Sequence, residues 1–224
     1  MNETFPSIIL LLPLVSAAAI LLALKRNANI SALVATGSAI VTFLLSVLVL
    51  TAGKSGIINL HNWSEIAGLK LGIDLQIDSL SSGMMIVVTG IGALVHLFSL
   101  IYMKDDAGKA RFFAGLSLFM FSMTGIVYAA NFAMMFIFWE LVGVSSYILI
   151  GHWYSKNSAA DAAKKAFLTN RIGDFGFMIG ILLLWSMTGG LLDFESLKAW
   201  FGSPAASTIA PAALTAATLC IFCG

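Results

Sequence analysis

The chain has 224 residues, of which 59% are hydrophobic and only 10% are charged, and its mean hydropathy is +0.97. An ordinary soluble domain carries about 25% charged residues, so this composition excludes one and predicts a polytopic, all-α membrane protein. The formal net charge is +1, and the basic residues lie between apolar runs rather than in one patch. That distribution does not indicate nucleic-acid binding, and we expect no nucleic-acid partner.

Six apolar runs are long enough to cross a bilayer as helices, which takes about 20 residues each. No positive charge precedes the first run, so we expect a retained helix there rather than a signal peptide. A seventh run is cut off at the end of the sequence, and a helix that enters a bilayer does not stop halfway, so we expect the chain to be the N-terminal piece of a longer protein. The predicted spans are residues 6–24, 30–52, 79–103, 112–130, 132–150, 166–187 and, truncated, 207–224.

Two segments depart from the pattern of membrane spans. Residues 53–78 form the longest polar insertion, and the partly alternating apolar residues from Lys70 to Asp78 predict one strand of a small β-hairpin outside the membrane. Asp78 or Ser79 is placed to cap the helix that follows. A helix lying on the membrane surface is predicted by apolar residues at helical spacing, namely Leu191, Phe194, Leu197 and Phe201.

Lys and Arg residues divide unevenly between the two sides of the membrane. If the spans alternate in direction, one side receives the following eight: Lys25, Arg26, Lys104, Lys109, Arg111, Lys156, Lys164 and Lys165. The other side receives three: Lys54, Lys70 and Lys198. The positive-inside rule therefore predicts that the N-terminus and the hairpin lie outside.

Glu140 is the single charged residue between positions 132 and 150. At 1.5 Å per residue it lies about 12 Å from one end of its span and about 15 Å from the other, near the bilayer midplane. An ionised carboxylate there costs a few kcal/mol, and protonating one at pH 7 costs roughly 3.7 kcal/mol, so a nearby charge can decide its state. The sequence thus predicts a group that loads and releases a proton. The alternative is a permanently protonated Glu140 that hydrogen-bonds a neighbouring helix.

Arg171 and Asp174 lie in the sixth span at a spacing that places them on one helix face. They are candidates for proton translocation, or alternatively a self-neutralising ion pair that anchors the span. Three small residues on a neighbouring face, Gly173, Gly176 and Gly180, predict close approach of another helix.

His96, in the third span, is a possible proton relay because imidazole titrates near neutral pH. The alternative is a histidine that hydrogen-bonds a neighbouring helix. Cys220 and Cys223 lie in an apolar run without further cysteines or histidines at metal-ligand spacing, so we interpret them as packing residues. No sequence motif for a redox cofactor is present, and we expect no cofactor or metal in this chain.

Three stretches carry a family resemblance. The sequence Phe-Trp-Glu-Leu-Val-Gly-Val-Ser-Ser-Tyr at 138–147 resembles the L subunits of bacterial respiratory complex I, whose mitochondrial counterparts are the NADH dehydrogenase subunits 5. Asn-Arg-Ile-Gly-Asp-Phe-Gly-Phe at 170–177 and Asp-Ser-Leu-Ser at 78–81 are similar to the same family. The resemblance extends over nearly all of the chain.

This resemblance implies an antiporter-like helix bundle built from inverted repeats, without cofactors of its own. NAD(H), FMN, iron–sulfur clusters and quinone would be bound in partner subunits, and an M-type paralogue would lie adjacent in the bacterial inner membrane. Glu140 matches the family's fifth-span glutamate, which is thought to pair with a lysine of a broken seventh helix. Arg171 and Asp174 match the sixth-span charges. The matching lysine would lie beyond Gly224.

The resemblance implies a non-redox subunit of a proton-translocating NADH:quinone oxidoreductase. Two other functions stay open from the sequence. The chain can belong to the large subunit of a multisubunit Na⁺/H⁺ antiporter or of a related membrane-bound hydrogenase. It can also be a structural membrane subunit that translocates nothing.

Overall fold

The computed structural model describes residues 4–53, 55–66 and 69–224. Eight α-helices and one two-stranded sheet make up this part of the chain. The helices are α1 (Thr4–Ala19), α2 (Ala28–Ala52), α3 (Ser79–Tyr102), α4 (Lys109–Tyr128), α5 (Phe132–Ile150), α6 (Asn157–Met187), α7 (Phe194–Phe201) and α8 (Pro211–Cys223). The strands are β1 (Gly56–Ile66) and β2 (Leu69–Ile77). A π-helical turn, Ile20–Leu24, continues α1, and a 3₁₀ turn, Pro204–Thr208, precedes α8.

Six of the described helices are long and apolar enough to cross a membrane, which confirms the predicted bundle. Helix α4 occupies its centre, since a larger share of its residues is buried than in any of the other five. It packs against α1, α2, α3 and α5. The outward surfaces of the remaining helices expose large apolar side chains such as Leu22, Ile101 and Ile172, as expected for lipid-facing positions.

The helix that contains the predicted sixth span begins nine residues before that span, because α6 starts at Asn157 and the span was predicted from residue 166. The residues before Ala166 are polar but rich in alanine, which has the highest helix propensity. Polarity there marks the edge of the membrane rather than the start of the helix. At 1.5 Å per residue the 31-residue helix is about 46 Å long, so it extends beyond a hydrocarbon core of about 30 Å.

The predicted hairpin is present between α2 and α3, and β2 pairs antiparallel with β1 from Gly56–Ile77 to Ile66–Leu69. Asp78 caps α3, as predicted: its carboxylate accepts the Ser81 amide at 2.7 Å while the Ser81 hydroxyl accepts the Asp78 amide at 2.8 Å. Lys54, which entered the count of charges, lies outside the described residues. The hairpin packs on α4 and α5 through β2.

The predicted surface helix is shorter than its apolar stripe. Leu191 lies before α7 rather than in it, because Gly189 and Gly190 have φ values of +72° and +108° and end the preceding helix. Asp193 then caps α7 by accepting the Ser196 amide at 2.8 Å. Helix α8 is a 13-residue apolar helix that packs on α6.

Candidate functional site

Glu140 contacts a positively charged side chain where α5 packs against α6. Its carboxylate forms an ion pair with the Arg171 guanidinium across the α5–α6 interface. The Glu140 side chain is 25% exposed and that of Arg171 is 31% exposed, so the protein covers more than two thirds of each. The acid that stood alone in the fifth span therefore has its counter-ion on the next helix in sequence.

Arg171 also approaches a second carboxylate. Its Nη2 atom lies 3.7 Å from Asp174 Oδ2, close enough for electrostatic attraction and too far for a hydrogen bond. Asp174 is 5% exposed, which makes it the most buried member of the trio. The predicted Arg171–Asp174 contact is present, but it is one half of an arrangement in which a single cation lies between two acids.

Two features of the surroundings fix the position of the Arg171 guanidinium. Its Cζ atom lies 4.7 Å from the centre of the Phe167 ring, a cation–π contact one helical turn before it. On the opposite helix, a Cβ at Gly143 would lie 3.2 Å from Nη2. Gly143 thus provides the space into which the guanidinium reaches.

A cavity of about 480 Å³ adjoins this trio. Asp174 and Asn170 of α6 line it, together with Trp139 and Gly143 of α5 and the last residues of α8. Polar side chains on α6 make this cavity suitable for water, which needs two to four polar partners. The arrangement can bring water to Asp174 at the depth of the ion pair.

The glycine face of α6 accepts a helix, as predicted. A Cβ at Gly180 would lie 2.6 Å from the Ile221 backbone nitrogen, and one at Gly173 would lie 3.0 Å from the Cys223 carbonyl oxygen. Helix α8 therefore packs directly against the backbone of α6. Cys220 and Cys223 of α8 are free thiols in this contact region, with no disulfide between them.

His96 lies apart from the trio. It is 1% exposed, its Nδ1 is 2.7 Å from the Gly92 carbonyl oxygen of its own helix, and within the described part of the chain its Nε2 has no partner. The alternative, a hydrogen bond to a neighbouring helix, is therefore wrong for Nδ1, whose partner lies one turn earlier on α3 itself. His96 lines a separate apolar cavity of about 320 Å³ between α3 and α4, which shares Met84, Val88 and Met123 with the first.

The outer ends of these helices are tied to the hairpin. Asn131 caps α5 by accepting the Met134 amide at 2.7 Å, and its side-chain amide donates to the Gly72 carbonyl at 3.1 Å. The Ala130 amide donates to the Asp74 carbonyl at 3.1 Å. Burial raises the pKa of Asp74, and the negative charge of Asp193 raises it further.

At the opposite ends, the loop between α3 and α4 contacts the loop between α5 and α6. Asp106 accepts hydrogen bonds from Trp153 at 2.7 Å and from the Gly108 amide at 2.6 Å, and its carboxylate lies 3.1 Å from His152 Nε2. Desolvation by burial raises the pKa of Asp106, but these hydrogen bonds together outweigh it and the net pKa is lowered. The Asp106 carboxylate therefore remains ionised and joins the two loops.

Two family models match the chain. The one described as "NADH-Ubiquinone oxidoreductase (complex I), chain 5 N-terminus" matches residues 63–113, and "NADH:quinone oxidoreductase/Mrp antiporter, TM" matches residues 129–224. The NADH-quinone oxidoreductase subunit L of Mycobacterium tuberculosis is 39% identical over 220 residues, which are 95% of this chain and 34% of that protein. The chain belongs to the subunit L/chain 5 family of NADH-quinone oxidoreductases.

Further members of the family are similarly related. The chloroplastic NAD(P)H-quinone oxidoreductase subunit 5 of Zygnema circumcarinatum is 45% identical over 164 residues, covering 72% of this chain and 23% of that subunit. The corresponding chain 5 of Synechocystis is 44% identical over 145 residues, 65% of this chain and 21% of that one. The chain spans about a third or less of the length of these subunit L/chain 5 relatives.

A solved structure shares the fold at low identity. It is the membrane-bound sulfane sulfur reductase, an archaeal respiratory membrane complex, and one of its chains superposes with a TM-score of 0.80 at 20% identity. The superposition covers 96% of this chain and 43% of that one. The helix bundle of the subunit L/chain 5 family is therefore also present in this archaeal complex.

Proposed function

We propose that this chain is part of a proton-translocating membrane subunit of NADH:quinone oxidoreductase, in which electron transfer in other subunits drives protons outward. The observation that carries the proposal is the position of Arg171 between Glu140 and Asp174, beside a largely apolar cavity to which Asp174 and Asn170 contribute polar groups. Family membership and the shared antiporter-type region support it.

The trio has a formal charge of −1 when all three groups are ionised. A net charge near the bilayer midplane costs about 2.5–3.5 kcal/mol on insertion scales, and protonating a glutamate at pH 7 costs roughly 3.7 kcal/mol. Because the two costs are similar, the trio gains or loses one proton according to whether another cation lies near it. Proton uptake makes the trio neutral, and an approaching cation drives the proton out.

Arg171 determines which acid carries that proton. While the guanidinium contacts Glu140, Asp174 is the less stabilised carboxylate and faces the cavity. A shift of the guanidinium by a few ångströms toward Asp174 would reverse the preference. We propose that the cation which triggers this exchange lies on a part of the subunit beyond residue 224. The proposed chemistry consists of proton transfer and hydration alone. The bonds that form and break are the O–H bonds of the two carboxyl groups.

The test is Glu140→Gln in the complete respiratory complex. With glutamine at 140, Arg171 and Asp174 form a neutral pair that has no proton to load, so we expect fewer protons translocated per NADH oxidised. Asp174→Asn leaves Arg171 paired with Glu140 and should have the same effect. The measurement is acidification of vesicles at a matched rate of NADH oxidation.

The matched control is Glu195→Gln on α7, a glutamate that is exposed and outside the six spans. It should leave the ratio of protons to NADH unchanged. A wild-type ratio in Glu140→Gln would refute the proposed role of the trio.

A sodium/proton antiporter is the second candidate, because the family model that matches residues 129–224 also describes Mrp antiporters. The same trio could exchange Na⁺ for a proton. Uptake of radioactive sodium into vesicles that depends on Glu140 would favour this candidate, whereas pumping that is unaffected by removing sodium favours the first. A structural subunit would instead show a Glu140 carboxyl infrared signal that never changes with turnover or pH.

The setting follows from the same proposal. NAD(H), FMN, iron–sulfur clusters and quinone would be held by partner subunits, and an M-type paralogue would contact this one in the membrane. For a bacterial member we propose the inner membrane, with the N-terminus and the hairpin outside and the eight Lys and Arg residues at the opposite ends of the helices inside.

A further inference from the structure

A cleft of about 240 Å³ lies where the ends of α4, α5 and α6 meet, on the side of the bundle that carries most of the positive charge. Arg111 of α4 and Lys164 of α6 line it, along with Tyr147 and Tyr154. It is separate from the Glu140–Arg171–Asp174 trio and from the two cavities described above. Neither the translocation mechanism nor the family match gives it a role.

Arg111 is held in this cleft by two contacts. Its Nη2 atom donates to the His152 carbonyl at 2.7 Å, and its Cζ atom lies 4.8 Å from the centre of the Tyr154 ring. His152 is 4% exposed and is itself fixed by Asp106, so the carbonyl is a rigid anchor. The guanidinium is therefore oriented before any ligand arrives, and a pre-oriented group loses little conformational entropy on binding.

Arg111 has N–H donors that the contact with His152 does not use. A guanidinium has five N–H donors, and the contact to His152 uses one of them. Among the residues that the structure describes, no carboxylate lies within 4.0 Å of Arg111. The cleft thus presents an oriented cation that lacks an anion.

Lys164 supplies a second positive charge. Asp161 lies 3.6 Å from its amine, but both side chains are more than 60% exposed. Exposed pairs of this kind contribute about 0–1 kcal/mol, so Asp161 leaves Lys164 free to bind another anion. Asp161 does not line the cleft, whose two charged residues are both positive.

Small residues give the cleft its depth. Its walls include Gly151, Ala160 and Ala163. A Cβ at Gly151 would lie 3.1 Å from the Tyr147 carbonyl oxygen and 3.3 Å from Ala163 Cβ. A larger side chain at this point would fill the space between the ends of α5 and α6.

An apolar surface begins directly below the positive charges. Val144, Tyr147 and Leu168 are 38%, 42% and 62% exposed on α5 and α6, toward the interior of the membrane. Trp153 and Tyr154 are exposed at the level of the cleft, where aromatic residues mark the membrane–water interface. A ligand that uses both regions has an anionic head and an apolar body. Free phosphate would use the positive end alone.

We propose that this cleft binds the phosphate headgroup of an anionic phospholipid, with Arg111 and Lys164 contacting the phosphate and the acyl chains lying along α5 and α6. Basic pockets between transmembrane helices on the cytoplasmic side are a known mode of binding for such headgroups. The site is independent of which ion the subunit translocates.

The experiment uses the complete complex, purified in detergent and stripped of lipid. Binding of spin-labelled phosphatidylglycerol is compared with that of phosphatidylcholine carrying the same acyl chains. The native complex should prefer phosphatidylglycerol, and Arg111→Gln and Lys164→Gln should each reduce that preference about five-fold. Lys104→Gln is the matched control, since Lys104 is an exposed cation at the same end of the bundle outside the cleft, and it should change nothing.

Three results would overturn the proposal. One is an unchanged preference for phosphatidylglycerol in Arg111→Gln. Another is displacement of the labelled lipid by millimolar inorganic phosphate, which would identify a free-phosphate site.

The third result concerns Arg111→Lys, which tests whether substitution at this position disrupts the local structure. This variant keeps the positive charge and should keep part of the preference for phosphatidylglycerol. A loss as complete as in Arg111→Gln, with Lys164→Gln unaffected, would show a collapsed cleft rather than a charge effect.

Discussion

Arg171→Gln is the most direct perturbation of the ion-pair trio. It removes the cation that contacts Glu140 and lies 3.7 Å from Asp174, while a polar side chain stays at the position. Two carboxylates, one partly exposed and one buried, then remain without the positive charge between them. Losing one partner of a buried pair typically costs 3–5 kcal/mol, because it leaves an uncompensated charge.

The stability lost in Arg171→Gln has an upper limit that depends on pH. An unperturbed glutamate titrates at about pH 4.3, so Glu140 can escape its uncompensated state at pH 7 by taking a proton, for roughly 3.7 kcal/mol. Its side chain is 25% exposed, and this partial exposure lowers the loss below that limit, to about 2–3 kcal/mol. This limit rises by about 1.4 kcal/mol for each unit by which pH increases, because protonating the carboxylate costs more at higher pH.

The sign of the pH dependence follows from proton binding. In Arg171→Gln we expect the folded chain to hold a proton on one of the two carboxylates, Glu140 or Asp174, that the unfolded chain has released at neutral pH. Stability therefore falls as pH rises from 6 to 8. In the unmodified chain Arg171 compensates the charge of Glu140, so loss of this cation should make the slope steeper.

The assay is thermal and denaturant unfolding of the complete complex in detergent at pH 6, 7 and 8, with Lys198→Gln on α7 as the control for loss of a positive charge. The triple variant Glu140→Gln/Arg171→Gln/Asp174→Asn should lose the slope, because no carboxyl remains in the trio to take a proton. Equal slopes in the native complex and in Arg171→Gln would refute the reasoning, as would a triple variant no more stable than Arg171→Gln at pH 8.

Two further predictions concern the helices around the trio. Gly180→Ala places a methyl group 2.6 Å from the Ile221 backbone nitrogen, where the backbone cannot yield, so it should destabilise the α6–α8 contact by about 1–3 kcal/mol in thermal unfolding. Gly176→Ala meets a side-chain atom at 3.2 Å and should cost less; the reverse order would contradict this packing. Asp78→Ala should lose about 1 kcal/mol of stability at neutral pH. Hydrogen bonding to the Ser81 amide lowers the pKa of Asp78 despite partial burial, so this stabilisation is present above about pH 4 and is lost as pH falls further. Acid unfolding of Asp78→Ala should accordingly depend less on pH below 4, and an unchanged acid profile would exclude the cap as its cause.

The spans were the most predictable part of the structure. Helix α5 has the predicted bounds, 132–150, because both ends coincide with polar or turn-forming residues next to an uninterrupted apolar run. The start of α6 was missed because hydropathy reports where a helix enters lipid and not where its backbone begins to coil. Leu191 was placed in a helix for a related reason: its spacing fits the stripe, but the two glycines before it set the backbone.

The site was predictable in part. A lone acid in an apolar span and an Arg–Asp pair at helical spacing are visible in the sequence, and the Arg171–Asp174 contact followed from that spacing. The rotation of α5 against α6, which brings Glu140 to Arg171, is a matter of tertiary packing that periodicity does not contain. One signal was available: Gly143 lies three residues after Glu140 on the same face and leaves room for a large partner.

His96 shows a different limit. A histidine in a span needs a hydrogen-bond partner, and sequence reasoning sought it on another helix. The Gly92 carbonyl, four residues earlier, satisfies Nδ1 instead, at 2.7 Å. Whether the remaining Nε2 takes part in proton relay stays a prediction.

The pairing of Glu140 with Arg171 also sets an order of events during synthesis. Chains emerge from the ribosome at about 5–20 residues per second, so Arg171 follows Glu140 into the insertion machinery by a few seconds. During that interval α5 has to enter the lipid with its acid protonated, or wait beside the translocon until α6 arrives. The two helices are therefore expected to leave the translocon as a joined hairpin. A substitution at Arg171 would then lower the yield of inserted protein before it ever altered the finished complex.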